Sequence, residues 1–131
     1  MSIREILSEY KNIYVLGISP KKDRDSYRVA KYMKDQNYNV IGIRPNTEKI
    51  EDIPCVSSIS DIPSEIEILD VFRASEHIPQ IVDEAIKHSK VKVLWLQLGI
   101  SHPEAEEKAK KAGIKVITDH CIKVEHQKLS V

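Results

Sequence analysis

The residues able to do chemistry in this 131-residue chain fall in four short stretches. Gly17-Ile18-Ser19-Pro20, followed by Lys21-Lys22-Asp23-Arg24-Asp25-Ser26, mixes a glycine, hydroxyls and cations just after an apolar run. Ahead of a helix, such a loop turns backbone N–H groups and the positive end of the helix dipole toward an anion. Arg44-Pro45-Asn46 and Phe72-Arg73 each place a cation after a further apolar run, and Gln97-Leu98-Gly99 closes another. Asp119, His120, Cys121, Glu125 and His126 lie together near the C-terminus, where a thiol beside an imidazole could form an activated thiolate. Two chemistries are on offer: holding a phosphate-bearing ligand, and nucleophilic thiol catalysis.

Composition narrows the class. Lys+Arg and Asp+Glu both number 20, for a formal net charge of zero. That argues against a nucleic-acid binder, whose affinity rests on a basic surface. No stretch approaches a membrane span, and Met1–Ile6 is too polar for a signal peptide. Cys55 and Cys121 lack zinc-type spacing and are expected to be free thiols in a reducing, cytoplasmic setting. The length suits one domain over residues 1–131.

The elements that must position these residues follow from periodicity. Ile3, Ile6, Leu7 and Tyr10 repeat at helical spacing, with Ser2 and Glu5 as a capping box. Ile13–Ile18 is a continuous apolar run, as in a parallel strand covered on both faces. Ser26–Asn37 is an amphipathic helix with Asn37 as its stop, and Asn39–Ile43 is a second strand. Thr47–Pro63 is irregular, with a very short strand expected near Cys55-Val56 and a helical turn near Ser60-Asp61. Ile66–Phe72 is a strand; Ile78, Ile81, Val82, Ala85 and Ile86 mark the next helix, with Ser75 as candidate N-cap. Val91–Leu98 and Ile114–Thr118 are strands, separated by a helix that Ser101-His102-Pro103-Glu104 opens as a capping box and Gly113 ends. The tail Asp119–Val131 reads as polar, short and extended. Strands alternating with helices predict an α/β, Rossmann-like doubly wound fold: a mainly parallel sheet of five to six strands with helices on both faces.

Ligands in such folds bind outside the carboxyl ends of the strands. Those ends carry Gly17, Ile18, Ser19 and Pro20; Arg44, Pro45 and Asn46; Phe72 and Arg73; Gln97 and Gly99; and Asp119-His120. Gly17 has no second glycine two residues on, so the loop is not a dinucleotide fingerprint, and the turn could need Gly17 for shape alone. Arg44 stands where an NAD-binding chain has an acid for the ribose. It suits a phosphorylated ribose, as in NADP or coenzyme A, or else it is a solvated strand-end charge. Phe72 covers an adenine or completes the core. Neighbouring side chains on an extended tail point in different directions, so the sequence proximity of Cys121 to His120 and His126 is not itself a dyad, and their spacing is not that of a metal site. No complete catalytic constellation is present.

The chain resembles the CoA-binding domain proteins, small stand-alone Rossmann-like proteins similar to the nucleotide-binding domain of the succinyl-CoA synthetase alpha subunit. The resemblance runs from about Ile13 to His126. It rests on Val15-Leu16-Gly17-Ile18-Ser19-Pro20, Arg24-Asp25-Ser26-Tyr27-Arg28-Val29-Ala30-Lys31-Tyr32, Pro45-Asn46, Asp61-Ile62-Pro63, Asp70-Val71-Phe72-Arg73, Trp95-Leu96-Gln97-Leu98-Gly99-Ile100 and Asp119-His120-Cys121-Ile122-Lys123-Val124-Glu125-His126. It implies coenzyme A as ligand, with Gly17, Ser19 and Ser26 along the phosphates and Arg24 nearby. It implies Pro45 and Asn46 beside the adenosine, and Phe72, Arg73, Gln97 and Gly99 along the remainder. The synthetases' phosphohistidine domain has no counterpart here, so ligase activity by this chain alone is not expected. A coenzyme A or acyl-CoA binding protein, non-catalytic or of unassigned reaction, with a regulatory or partner-serving role and a protein partner or oligomer, is the first expectation. An NADP-linked oxidoreductase or redox sensor, and a thiol enzyme using Cys121, are the alternatives.

Overall fold

The computed structural model describes residues 1–129. Helix α1 (Ile3–Glu9) begins on the expected capping box: the Ser2 hydroxyl accepts from the Glu5 N–H, and the Glu5 carboxylate accepts from the Ser2 N–H. Strand β1 (Asn12–Leu16), helix α2 (Asp25–Asp35) and strand β2 (Asn39–Ile43) follow. β1 and β2 run parallel in the register Val15 to Gly42, so this unit is the βαβ crossover the periodicity predicts. Asn37, at φ 72°, makes the left-handed turn between helix and strand.

The irregular stretch holds β3 (Lys49–Ile50) and β4 (Ile53–Val56), an antiparallel pair turning through Glu51 at φ 54°. Strands β5 (Ile66–Val71), β6 (Val91–Leu96) and β7 (Lys115–Ile117) complete the sheet, with α3 (Ile78–His88) and α4 (Pro103–Lys111) between them. The order is β3-β4-β2-β1-β5-β6-β7. The doubly wound architecture is as expected, with seven strands among the described residues rather than five or six. The added strand is β3, whose two residues are too few to show a period.

Two apolar cores lie on opposite faces. α1, α2 and the C-terminal segment cover Ile13, Val15, Ile68, Val93 and Trp95. α3 and α4 cover Tyr14, Leu69, Val71, Leu94 and Leu96, with Ala105 and Ala109 giving α4 its close approach. Strands sandwiched this way have no polar face, which explains their continuous apolar runs.

Three local readings change. The tail is not extended: Ile122–Leu129 forms helix α5 on the α2 side, while Ser130 and Val131 lie outside the described residues. Ile122, His126 and Leu129 form its inward i, i+4, i+7 set, a stripe half hidden by the histidine. Ser75 does not cap α3, which starts from a 3₁₀ turn over Ser75–His77; its Oγ accepts instead from the Ser101 N–H at 3.1 Å. The cap of α4 is His102, not Ser101. Its Nδ1 accepts from Ala105 N–H at 3.2 Å while Glu106 accepts from His102 N–H at 2.7 Å, because Pro103 fixes the first helical residue one place later. Among the described residues no helix is long and apolar enough to cross a membrane.

Candidate functional site

Successive strands step outward from β1 through β2, β4 and β3 on one side, and from β5 through β6 and β7 on the other. The direction therefore reverses between β1 and β5, where an open sheet leaves a crevice. A cleft of about 630 Å³ opens there, lined by Gly17, Arg44, Pro45, Phe72 and Arg73. Gly17 has φ +88°, and a Cβ on it would lie 2.4 Å from the Phe72 carbonyl oxygen. Its missing side chain therefore lets the end of β5 close on β1, a packing requirement that holds with or without a ligand.

The rest of the first loop is held from inside. The Ser19 N–H donates to Ser26 Oγ at 3.0 Å, and Ser26 is buried at the start of α2. Ser26 thus ties loop to helix and keeps its own hydroxyl hydrogen to offer. The Ile18 side chain is fully buried, packed near Gly42, so only its backbone is available at the surface. Pro20 and Arg24 are exposed, and Arg24 heads α2 without a side-chain cap. Arg28 is drawn back to Asp25 at 2.8 Å.

Arg44 is not a free strand-end charge. Its Nη1 donates to the Ile18 carbonyl oxygen at 3.2 Å, bridging the β2 end to the first loop. A guanidinium has five N–H donors, so most remain for the cleft it lines. Arg73 follows half-buried Phe72 and lies across Gly17. Asn46, at φ 56°, turns the chain away after Pro45 and is exposed outside the cleft lining.

Phe72 separates this cleft from a second, of about 400 Å³, lined by Gln97, Leu98, Cys121 and Val124 among others. Gly99, at φ +82°, stands over open space with its N–H held by Asp119 Oδ1 at 2.6 Å. The Trp95 indole N–H donates to the His120 carbonyl at 2.8 Å and fixes the entry to α5. The two histidines turn elsewhere: His120 Nδ1 lies 2.6 Å from the Thr118 carbonyl, and His126 Nδ1 lies 2.8 Å from the Tyr32 hydroxyl. Neither is hydrogen-bonded to Cys121, which is half-buried and free. Burial, then Lys11 nearby, lowers the His126 pKa.

Beneath Gln97 lies Asp70, wholly buried in β5 between Val15 and Trp95. Gln97 Nε2 donates to its Oδ1, and its Oδ2 has no partner among the described residues. Burial pushes this carboxyl up to about 7, against the opposing pull of the Gln97 hydrogen bond.

Of the residues expected at the strand ends, Gly17, Arg44, Pro45, Phe72 and Arg73 line the first cleft, whose opposite wall was not expected. Ser57 and Ser58 come from the loop after β4, and His77, Gln80 and Glu84 from the start and outer face of α3. Nothing in their local pattern marks them, since polar residues on an outer helix face look solvated. In the second cleft the α5 residues were missed with their helix, whose signal was the Ile122, His126, Leu129 spacing.

A family model described as "CoA binding domain" matches residues 11–127. The chain is 39% identical over 124 residues to Uncharacterized protein YneT of Bacillus subtilis (strain 168), covering 95% of this chain and 91% of that one. A hypothetical protein from Pyrococcus horikoshii OT3 superposes with a TM-score of 0.91 at 37% identity, covering 98% of this chain and 90% of that one. An ADP-forming acetate–CoA ligase of Methanocaldococcus jannaschii is 24% identical over 123 residues, 88% of this chain but only 18% of the ligase.

Proposed function

The chain belongs to the CoA-binding domain family, and from that premise we propose that it binds coenzyme A or an acyl-CoA. It does so as a module of unassigned reaction, serving a partner or a regulatory role. The observation that carries this reading is the pair Arg44 and Arg73 on one cleft at the point where strand order reverses. Coenzyme A has phosphates both on its ribose and along its pyrophosphate, and planar guanidinium forks match phosphate oxygens. Arg44 is pre-set by its bond to the Ile18 carbonyl, so little side-chain freedom is lost on binding. The Ser19 and Ser26 link holds the first loop in one shape beside the α2 N-terminus, where Arg24 adds charge.

The test is a thermal-shift and calorimetric panel. Coenzyme A should raise the melting temperature, and a ligand at about a hundred times its Kd contributes about 2.7 kcal/mol of native-state stability. Absence of any response at millimolar concentration would sink the proposal. NADP also carries a phosphorylated ribose that the same arginines could meet. Saturable NADP binding without coenzyme A binding would move the reading to a redox protein.

A further inference from the structure

Three large apolar side chains are exposed among the described residues: Met1, Leu98 at 70% and Val124 at 44%. Leu98 and Val124 come from different elements yet line the same cleft, with Ile100 and Phe72 beside them. Both are held out of the core by hydrogen-bonded frames. Leu98 sits in a turn closed by Ile100 N–H to the Gln97 carbonyl at 3.0 Å and by Asp119 on Gly99. Val124 rides on α5, which the Trp95 indole fixes at its entry and the Tyr32 to His126 contact fixes midway along. Apolar surface presented on rigid supports costs free energy in water unless something covers it.

Continuity with the first cleft says what that is. Phe72 lines both clefts, so a ligand passing its ring has Arg44 and Arg73 on one side and the Leu98–Val124 walls on the other. We propose that the second cleft receives the acyl chain of an acyl-CoA thioester, making the protein selective for acylated over free coenzyme A. This rests on the coenzyme A reading and adds the class of ligand. Phe72, Leu98, Ile100 and Val124 offer apolar wall to an alkyl chain, while Asp25, Arg28, Lys123 and Gln127 line the rest of the same cleft. The buried amide of Gln97 is one of the polar groups on the second cleft, which Phe72 also lines.

Each methylene taken from water contributes up to about a factor of four in affinity. Titration of coenzyme A, acetyl-, butyryl- and hexanoyl-CoA into the wild-type chain should thus give affinities rising about two- to fourfold per methylene. Leu98→Ser with Val124→Thr, both at exposed positions, should flatten that rise and leave free coenzyme A binding unchanged. Butyryl-CoA should also slow alkylation of Cys121, which lines the cleft, more than free coenzyme A does. Equal affinity across the series, or a chain-length gain that survives the double variant, overturns the proposal and spares the coenzyme A reading. No binding of any of the four ligands overturns both. A dimer that the double variant dissolves, with no chain-length effect, assigns the face to a second copy and overturns the acyl site alone.

Discussion

Replacing Asp70 with Asn should remove a pH dependence that this one side chain imposes on stability. Asp70 has an unperturbed value of 3.8 and sits near 7 in the fold, because burial disfavours its charged form. No charged group among the described residues offsets this: Val15 and Trp95 flank it in register, and Gln97 is its hydrogen-bond partner. Between those values the folded chain holds a proton that the unfolded chain has released. The native state therefore binds more protons, and stability falls as pH rises. Asp70's contribution is fully present below about pH 4 and lost as pH climbs through about 7, at up to about 1.4 kcal/mol per pH unit. The whole interval is worth about 4 kcal/mol. Urea denaturation of wild type and Asp70→Asn at about pH 4.5, 6 and 8 measures it as a difference of differences, cancelling groups common to both. That cancellation matters because His126, with its lowered pKa, works oppositely: its contribution is present above about 6.5 and lost as pH falls. The variant should gain on wild type by several kcal/mol between the lowest and highest pH. A gap that stays constant within about 0.5 kcal/mol would refute an unpaired buried carboxyl at this position.

Gly17→Ala should cost about 2 kcal/mol or more in urea denaturation, since the positive φ and the 2.4 Å approach to the Phe72 carbonyl both oppose a Cβ. An unchanged midpoint would mean that β1 and β5 separate there easily. Arg44→Gln should weaken coenzyme A about 10- to 100-fold by calorimetry and dephospho-coenzyme A far less, if the guanidinium meets the ribose phosphate. Equal losses for both ligands would remove that contact. Trp95→Phe deletes the fully buried indole's 2.8 Å bond to the His120 carbonyl and leaves a small void, costing about 1–3 kcal/mol. Freeing the start of α5 should also speed Cys121 alkylation, and an unaltered rate would show that α5 is held by other contacts.

The elements that bury one whole face were legible early. Val29, Ala30 and Met33 mark α2, and Ile78, Ile81, Val82 and Ala85 mark α3, because each must keep every inward position apolar over three turns. The capping box of Ser2 and Glu5 was equally plain, being a reciprocal contact three residues apart. Where the inward position is a histidine, as in α5, or the strand is only two residues, as in β3, the period is broken or too short to see. The cap of α4 moved from Ser101 to His102 because an imidazole nitrogen can accept as a hydroxyl does.

For the candidate site, the sequence by itself determined which strands end in Gly17, Arg44, Phe72 and Arg73, and a parallel sheet brings such ends to one edge. The pairing of Arg44 with the Ile18 carbonyl, the wall from α3 and the separation of two clefts by Phe72 were decided only by tertiary structure. So were the isolation of Asp70 beneath Gln97 and the turning of both histidines away from Cys121. The reason is physical: strand and helix identity follow from local periodicity, whereas these contacts join residues separated by tens of positions. They form only when the strands align in register and the helices close over them.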